Sequence, residues 1–127
     1  SLSRSERVKA QSLLMMGKQY LNDFDKAAQI ALQSKAELKI AFDKKEIEQA
    51  EYDRLQGIIQ NNFACTEFLK SGSEENIETR RKSLSKSITD FAQAKRMLDR
   101  NAENKNLQKI SEDNLAAASR EALFDHD

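Results

Sequence analysis

Residues that interrupt regular backbone structure are scarce in this chain, whose 127 residues include three glycines and no proline. All-β sandwiches and barrels need many tight turns, which are usually built on Gly, Pro and Asn, so these folds are disfavoured. Intrinsic disorder is also disfavoured, because 39% of the residues are hydrophobic and the formal net charge is zero. The abundance of Ala, Leu, Lys, Glu and Gln predicts an all-α protein instead.

Apolar residues recur at spacings of three and four along most of the chain, which is typical of helices that each bury one face. Short connections between long helices place sequential neighbours antiparallel. The sequence therefore predicts one domain over residues 1–127, an elongated up-and-down antiparallel bundle of four or five helices. The predicted helices cover residues 4–21, 23–43, 44–70, 74–101 and 104–124.

The first two of these helices can also be one. Asn22 and Asp23 form the single interruption, and Asp23 is placed to cap a new helix that starts at Phe24. If residues 4–43 are continuous instead, the rival is a three-stranded, spectrin-like arrangement with an overhang. Both alternatives are all-α.

The later helix boundaries have local signals. Asp43 followed by Glu46 resembles a capping box, which predicts that the third helix starts immediately afterwards. In Ser-Gly-Ser at 71–73, we expect Gly72 to end that helix in the left-handed conformation and Ser73 to cap the next. A cluster of asparagines predicts a turn before the last helix, with Asn104 as its cap.

The chemistry-bearing residues exclude most enzyme classes. Cys65 is the single cysteine, so the chain has no intramolecular disulfide and no thiolate metal cluster, and a reducing compartment such as the cytoplasm is favoured. Its flanks, Phe63 and Phe68, indicate a small buried residue rather than a reactive thiol. The single histidine, His126, is next to last, which leaves no internal histidine for acid–base catalysis or metal binding. We therefore expect a non-enzymatic protein with no metal and no cofactor.

One enzymatic alternative rests on Arg120 and His126. Their spacing in REALFDH is similar to the Arg-x4–6-His signature of HEPN ribonucleases, which are small all-α domains that cleave RNA. That resemblance implies that Arg120 would hold the phosphate and that His126 would act in proton transfer.

A basic face lies on the fourth predicted helix, opposite its apolar stripe. Residues 80–100 carry seven Lys or Arg residues and two Asp residues. Such a face can meet an acidic protein, phosphate backbones or lipid headgroups. Nucleic acid is disfavoured, because no aromatic residues alternate with these cations to stack on bases. The residues that define this basic face are Arg80, Arg81, Lys82, Lys86, Arg96 and Arg100.

Surplus apolar residues give a second candidate surface. Leu13, Met15 and Met16 point to three sides of the first helix, so at least one must be exposed or covered by another element or a second copy. Phe68 falls off the core stripe of its helix, and we expect it to be exposed as a contact point. Asn62 and Thr66 place polar groups towards the predicted core, a pattern that fits a groove between helices.

No apolar segment approaches the roughly 20 residues of a membrane-spanning helix, so we expect a soluble protein. The leading hypothesis is a helical interaction module, an adaptor, inhibitor or regulatory protein that binds a protein partner, acidic or otherwise, or a second copy of itself. The alternatives are the ribonuclease described above and a protein that contacts nucleic acid or lipid through residues 80–100.

Overall fold

A computed structural model describes residues 3–124 of the chain. These residues form five α-helices, one short 3-10 turn and no β-strand. The all-α antiparallel bundle predicted from the sequence is confirmed. The helices are α1 (Arg4–Tyr20), α2 (Phe24–Asp43), α3 (Gln49–Ser73), α4 (Ile77–Leu98) and α5 (Lys105–Phe124), and the 3-10 turn at Ala102–Asn104 precedes α5.

The chain breaks between α1 and α2, so the first 40 residues are two helices and not one. Asn22 adopts a left-handed conformation with φ of 60°. The backbone N–H of Asp23 donates to the carbonyl of Lys18 at 2.8 Å, which closes α1 in a Schellman motif. The Asp23 side chain then accepts the N–H of Lys26, the predicted cap of α2. The three-stranded alternative is wrong.

The α2–α3 corner differs from the predicted capping box. Asp43 is the last residue of α2, and its carboxylate accepts from Lys39 at 3.2 Å instead of capping a new helix. Lys45 is left-handed with φ of 59°, and the N–H of Glu46 donates back to the carbonyl of Ala41. This second Schellman motif uses the residues that the capping box would need, so α3 begins only at Gln49.

The α3–α4 corner also lies later than predicted. Gly72 is helical rather than left-handed, and Ser73 is the last residue of α3 rather than a cap. The Ser73 hydroxyl donates to the carbonyl of Lys70, one turn earlier. Asn76 caps α4 by accepting the N–H of Thr79 at 3.0 Å.

Before α5, the predicted cap Asn104 has a different role. Asn101 accepts the N–H of Glu103, whereas Asn104 lies buried in the 3-10 turn. The side-chain amide of Asn104 donates to the carbonyl of Leu98 at 3.3 Å. Asn104 therefore ties the turn to the end of α4.

Side-chain pairs show that consecutive helices run antiparallel. Arg7 of α1 pairs with Glu37 of α2, and Gln60 of α3 donates to Gln93 of α4. The α3–α4 interface is the most extensive in the bundle, and α3 also contacts α1, α2 and α5. α3 is thus the central helix.

The core consists of two clusters that meet along α3. The first joins α1, α2 and the first half of α3, and the second joins the remainder of α3 to α4 and α5. The buried residues of the first cluster are Val8, Met15, Ala27, Ile30, Ala31, Leu38, Leu55 and Ile59. Those of the second are Ala64, Leu84, Phe91 and Ala118.

Gly57 sets the distance between α3 and α4. A Cβ atom at this position would lie 2.5 Å from both Cγ and Cδ2 of Leu98, which is itself buried. We expect Gly57→Ala to lower the free energy of unfolding by about 1–2 kcal/mol, because overpacking outweighs the gain in helix propensity. Gly72→Ala is the matched control, since nothing lies within 4 Å of its Cβ position. Urea unfolding would contradict this expectation if both variants were equally stable.

The left-handed conformation of Lys45 costs roughly 1–2 kcal/mol for a residue with a side chain. Lys45→Gly should therefore raise the free energy of unfolding by up to about 1 kcal/mol, since glycine adopts this conformation freely but loses more entropy on folding. Lys44→Gly is the control, because φ at Lys44 is −84° and glycine brings no relief there. A lower urea midpoint for Lys45→Gly than for the unaltered chain would show that the expectation is wrong.

Candidate interaction surface

The basic face of α4 is on the surface, but its own chain neutralises part of it. Lys86 pairs with Asp90 at 2.9 Å and lies 4.6 Å from the centre of the Phe63 ring. Arg100 reaches across to Asp53 of α3 at 3.2 Å. Each of these ion pairs offsets one positive charge of the basic face.

Of the remaining basic-face residues, Lys82 and Arg96 are exposed, Arg81 is exposed as well, and Arg80 is half-buried. Beside the face, Lys95 pairs with Asp99 at 2.7 Å, and this hydrogen bond and charge raise the pKa of Lys95. The use of the basic face for binding stays a prediction.

Of the two residues of the ribonuclease alternative, Arg120 and His126, the structure describes only Arg120. Arg120 is exposed on α5. His126 lies outside the described residues. Within residues 3–124, no three His, Cys, Asp or Glu side chains are grouped so that they could hold a metal ion. None of the helices formed by those residues has the length and apolar character that a bilayer crossing requires.

The inner side of α1 is held to the bundle largely by polar contacts. The Ser34 hydroxyl donates to Gln11 at 2.9 Å. Gln19 donates to the Thr66 hydroxyl at 2.7 Å and to the carbonyl of Asn62 at 2.8 Å. Of the two polar residues expected to line a groove, Asn62 does line a hollow between the helices, while its backbone carbonyl and the Thr66 hydroxyl also hold the end of α1.

Only two large apolar side chains of α1, Val8 and Met15, are buried. Met15 was expected at a contact surface, and this expectation is wrong, because Met15 is 0% exposed in the first core cluster. Phe68 is also not the exposed contact predicted for it, since it packs half-buried against the second cluster.

The opposite side of α1 carries more apolar surface than the buried side. Leu13 is 71% exposed, Tyr20 is 89% exposed and Leu21 is 70% exposed. We call this surface the outer face of α1. It comprises Ala10, Leu13, Leu14, Met16, Gly17 and Tyr20, continued by Leu21 in the turn after the helix.

An apolar groove runs beside the outer face, between α1 and α5, with α3 as its floor. One hollow of about 220 Å³ lies between Met16, Ile58 and Ile110. A second, of about 250 Å³, is lined by Gln19, Cys65 and other uncharged residues. The described lining of both hollows contains no charged side chain. The groove therefore extends the apolar surface of α1 towards α5.

Polar contacts on the α5 side keep the floor of this groove in place. Asn61 of α3 accepts from the Ser111 hydroxyl at 3.1 Å and from the Asn114 amide at 3.3 Å. Asn114 also lies 3.7 Å from the sulfur of Cys65. Burial raises the pKa of Cys65 to about 11, so the thiol is neutral, as expected of a structural cysteine.

No protein-family model matches the chain, and no curated protein or solved structure matches it either. The function must therefore be inferred from the geometry of this chain's own residues. That geometry defines an all-α bundle with one apolar, uncharged surface on α1 and one partly neutralised basic face on α4.

The sequence analysis identified Leu13 and Met16 of the outer face but did not identify Leu14, Tyr20 and Leu21. The face with the more regular apolar spacing is the one that the fold leaves outside. A usable signal was the pair Gln11 and Gln19 beside Val8 and Met15, but it becomes interpretable only when the partners of these glutamines on α2 and α3 are known.

Because only the thiolate reacts with alkylating agents, a pKa near 11 predicts slow modification of Cys65. At neutral pH, iodoacetamide should react at least about 100-fold more slowly with the folded chain than with the urea-unfolded chain. The folded-state rate should rise through pH 11 rather than level off near 9.

The same shift links folding to pH. The folded pKa is above the unfolded value of 9.0, so the contribution of Cys65 to stability is complete below pH 9 and lost as the pH rises through 11. Cys65→Ser is the control that removes this dependence. Equal alkylation rates in the folded and unfolded chains would contradict the raised pKa of Cys65 on which both predictions rest.

Proposed function

We propose that this chain is a helical interaction module without catalytic activity of its own, and that it acts by protein–protein contact through the outer face of α1. Adaptor, inhibitor and regulatory roles all fit this proposal. The proposed binding surface consists of residues of α1 and of Leu21 in the turn that follows it. It requires no metal ion or cofactor to bind a protein.

The observation that supports the proposal is the reversed amphipathic character of α1. A surface helix usually directs its apolar stripe to the core and its polar residues to water. In α1, Gln11 and Gln19 make hydrogen bonds inside the bundle, whereas Leu13 and Tyr20 are exposed. Contiguous exposed apolar surface of this kind marks binding sites on proteins.

The residue types on the outer face suit a protein partner. Tyrosine is enriched in protein interfaces, because its ring contributes a large contact area with few rotatable bonds while its hydroxyl can donate a hydrogen bond. The exposed Tyr20 and the neighbouring Met16 are both of the kind enriched there. Charged residues, which are depleted at interface centres, lie at the borders of the face as Lys9 and Lys18.

The basic face is a weaker candidate for an acidic partner. Asp90 and Asp53 already neutralise Lys86 and Arg100, so the net field of the face is smaller than its sequence suggests. The ribonuclease alternative lacks a described position for His126.

Site-specific photo-crosslinking tests the proposed function. A benzophenone side chain at position 20 should give a discrete cross-linked protein product in cells that make this protein. The matched control is the same substitution at Leu32, which is 61% exposed and belongs to α2 rather than to α1. Mass spectrometry of the product identifies the bound protein, whether another chain or a second copy.

The proposal is wrong if position 20 gives no product, or if positions 20 and 32 give the same products. Either result would mean that Tyr20 does not lie in a specific interface.

A further inference from the structure

We propose that the outer face of α1 binds the same face of a second copy, so that two α1 helices pack antiparallel about a two-fold axis. This inference rests on the proposed function, since it names the occupant of that interaction surface. Four observations carry it: residue spacing, the position of the small residues, charge placement and area.

The spacing of the outer face is that of a coiled-coil seam. Ala10, Leu13, Gly17 and Tyr20 follow one another at intervals of three, four and three residues. This pattern keeps one line of side chains directed at a neighbouring helix, where each inserts between residues of the other helix. Leu14 and Leu21 widen the seam on one side.

The small residues lie where two antiparallel copies would meet. With the two-fold axis between Leu13 and Leu14, Ala10 of each copy faces Gly17 of the other. Nothing lies within 4 Å of the Cβ position of Gly17, so the backbone there is open to close approach. Small residues opposite each other let two helices pack at short distance, while Leu13 and Leu14 fill the centre.

Charge placement favours the antiparallel orientation over the parallel one. Glu6 lies in the first turn of α1 and Lys18 in its last turn. Antiparallel packing about this axis places Glu6 of one copy level with Leu21 of the other, three residues beyond Lys18. Parallel packing would place like charges and like helix dipoles side by side. The formal net charge of zero means that two copies do not repel each other overall.

The area is sufficient for a dimer. The exposed parts of Leu13, Leu14, Met16, Tyr20 and Leu21 amount to roughly 600 Å² per copy. Complete burial of these side chains in both copies would cover about 1,200 Å², which is the lower end of stable protein interfaces.

Sedimentation of the full chain tests the association. The unaltered protein should be dimeric at micromolar concentrations, and Leu13→Glu should weaken the dimer at least tenfold. Leu32→Glu is the matched control: it makes the same chemical change at an exposed leucine of α2 and should leave the dimer intact. Circular dichroism should show the same helix content for both variants, since neither side chain is in the core.

Disulfide trapping tests the orientation, in a Cys65→Ser background. Leu13→Cys lies next to the proposed two-fold axis and should form a disulfide-linked dimer on oxidation. Tyr20→Cys should not, because the two copies of position 20 would be about 20 Å apart along an antiparallel pair. In a parallel pair, both variants would cross-link.

Three outcomes overturn the inference: a chain that stays monomeric at micromolar concentrations, equal disulfide trapping at positions 13 and 20, or a monomer whose Leu13 and Tyr20 instead bind lipid vesicles. A monomeric chain that still gives a position-20 photo-crosslink to a different protein would overturn the dimer and retain the proposed function. The two proposals therefore fail separately.

Discussion

Every other helix of the bundle packs against α3, and this crowding determines which residues α3 can carry. At position 57 a glycine fits without displacing its neighbours, because Leu98 of α4 occupies the space that a side chain would need. Farther along, the buried Gln60 spans to α4, where its amide donates to Asp90 and Gln93. Its side-chain oxygen has no hydrogen-bond partner among the described residues, which leaves a desolvation cost at the centre of the molecule.

The same central helix explains why α1 is oriented as it is. α3 offers α1 the Thr66 hydroxyl and the Asn62 carbonyl, and both accept a hydrogen bond from Gln19. With Gln19 hydrogen-bonded to α3 and Val8 and Met15 buried in the core, Leu13 and Tyr20 face outward. The polar contacts of Gln11 and Gln19 and the burial of Val8 and Met15 thus lie on one side of α1, and its other apolar side is left exposed.

The all-α class, the order of the helices and the position of a possible break at Asn22–Asp23 could be predicted from the sequence, because each depends on local signals such as periodicity and an aspartate cap. The sequence left open whether the chain breaks there, and therefore whether the helices number four or five. The α2–α3 corner could not be predicted, because a left-handed lysine at position 45 has no recognisable local signature. The rotation of α1 about its axis could not either. Two stripes of that helix contain apolar residues. The more apolar stripe faces outward, because the other has hydrogen-bond partners on α2 and α3.

The two core clusters share α3 but no other helix. The bundle therefore consists of two three-helix units, α1–α2–α3 and α3–α4–α5, with α3 common to both. We expect α1 and α2 to separate from α3 in local unfolding while α3 and α4 stay packed together. Any molecule seated on α1 would then move with these two helices. The fraction of α1 that has this molecule bound would be coupled to the opening of only half of the protein. The affinity for the molecule could therefore change without unfolding of the other half.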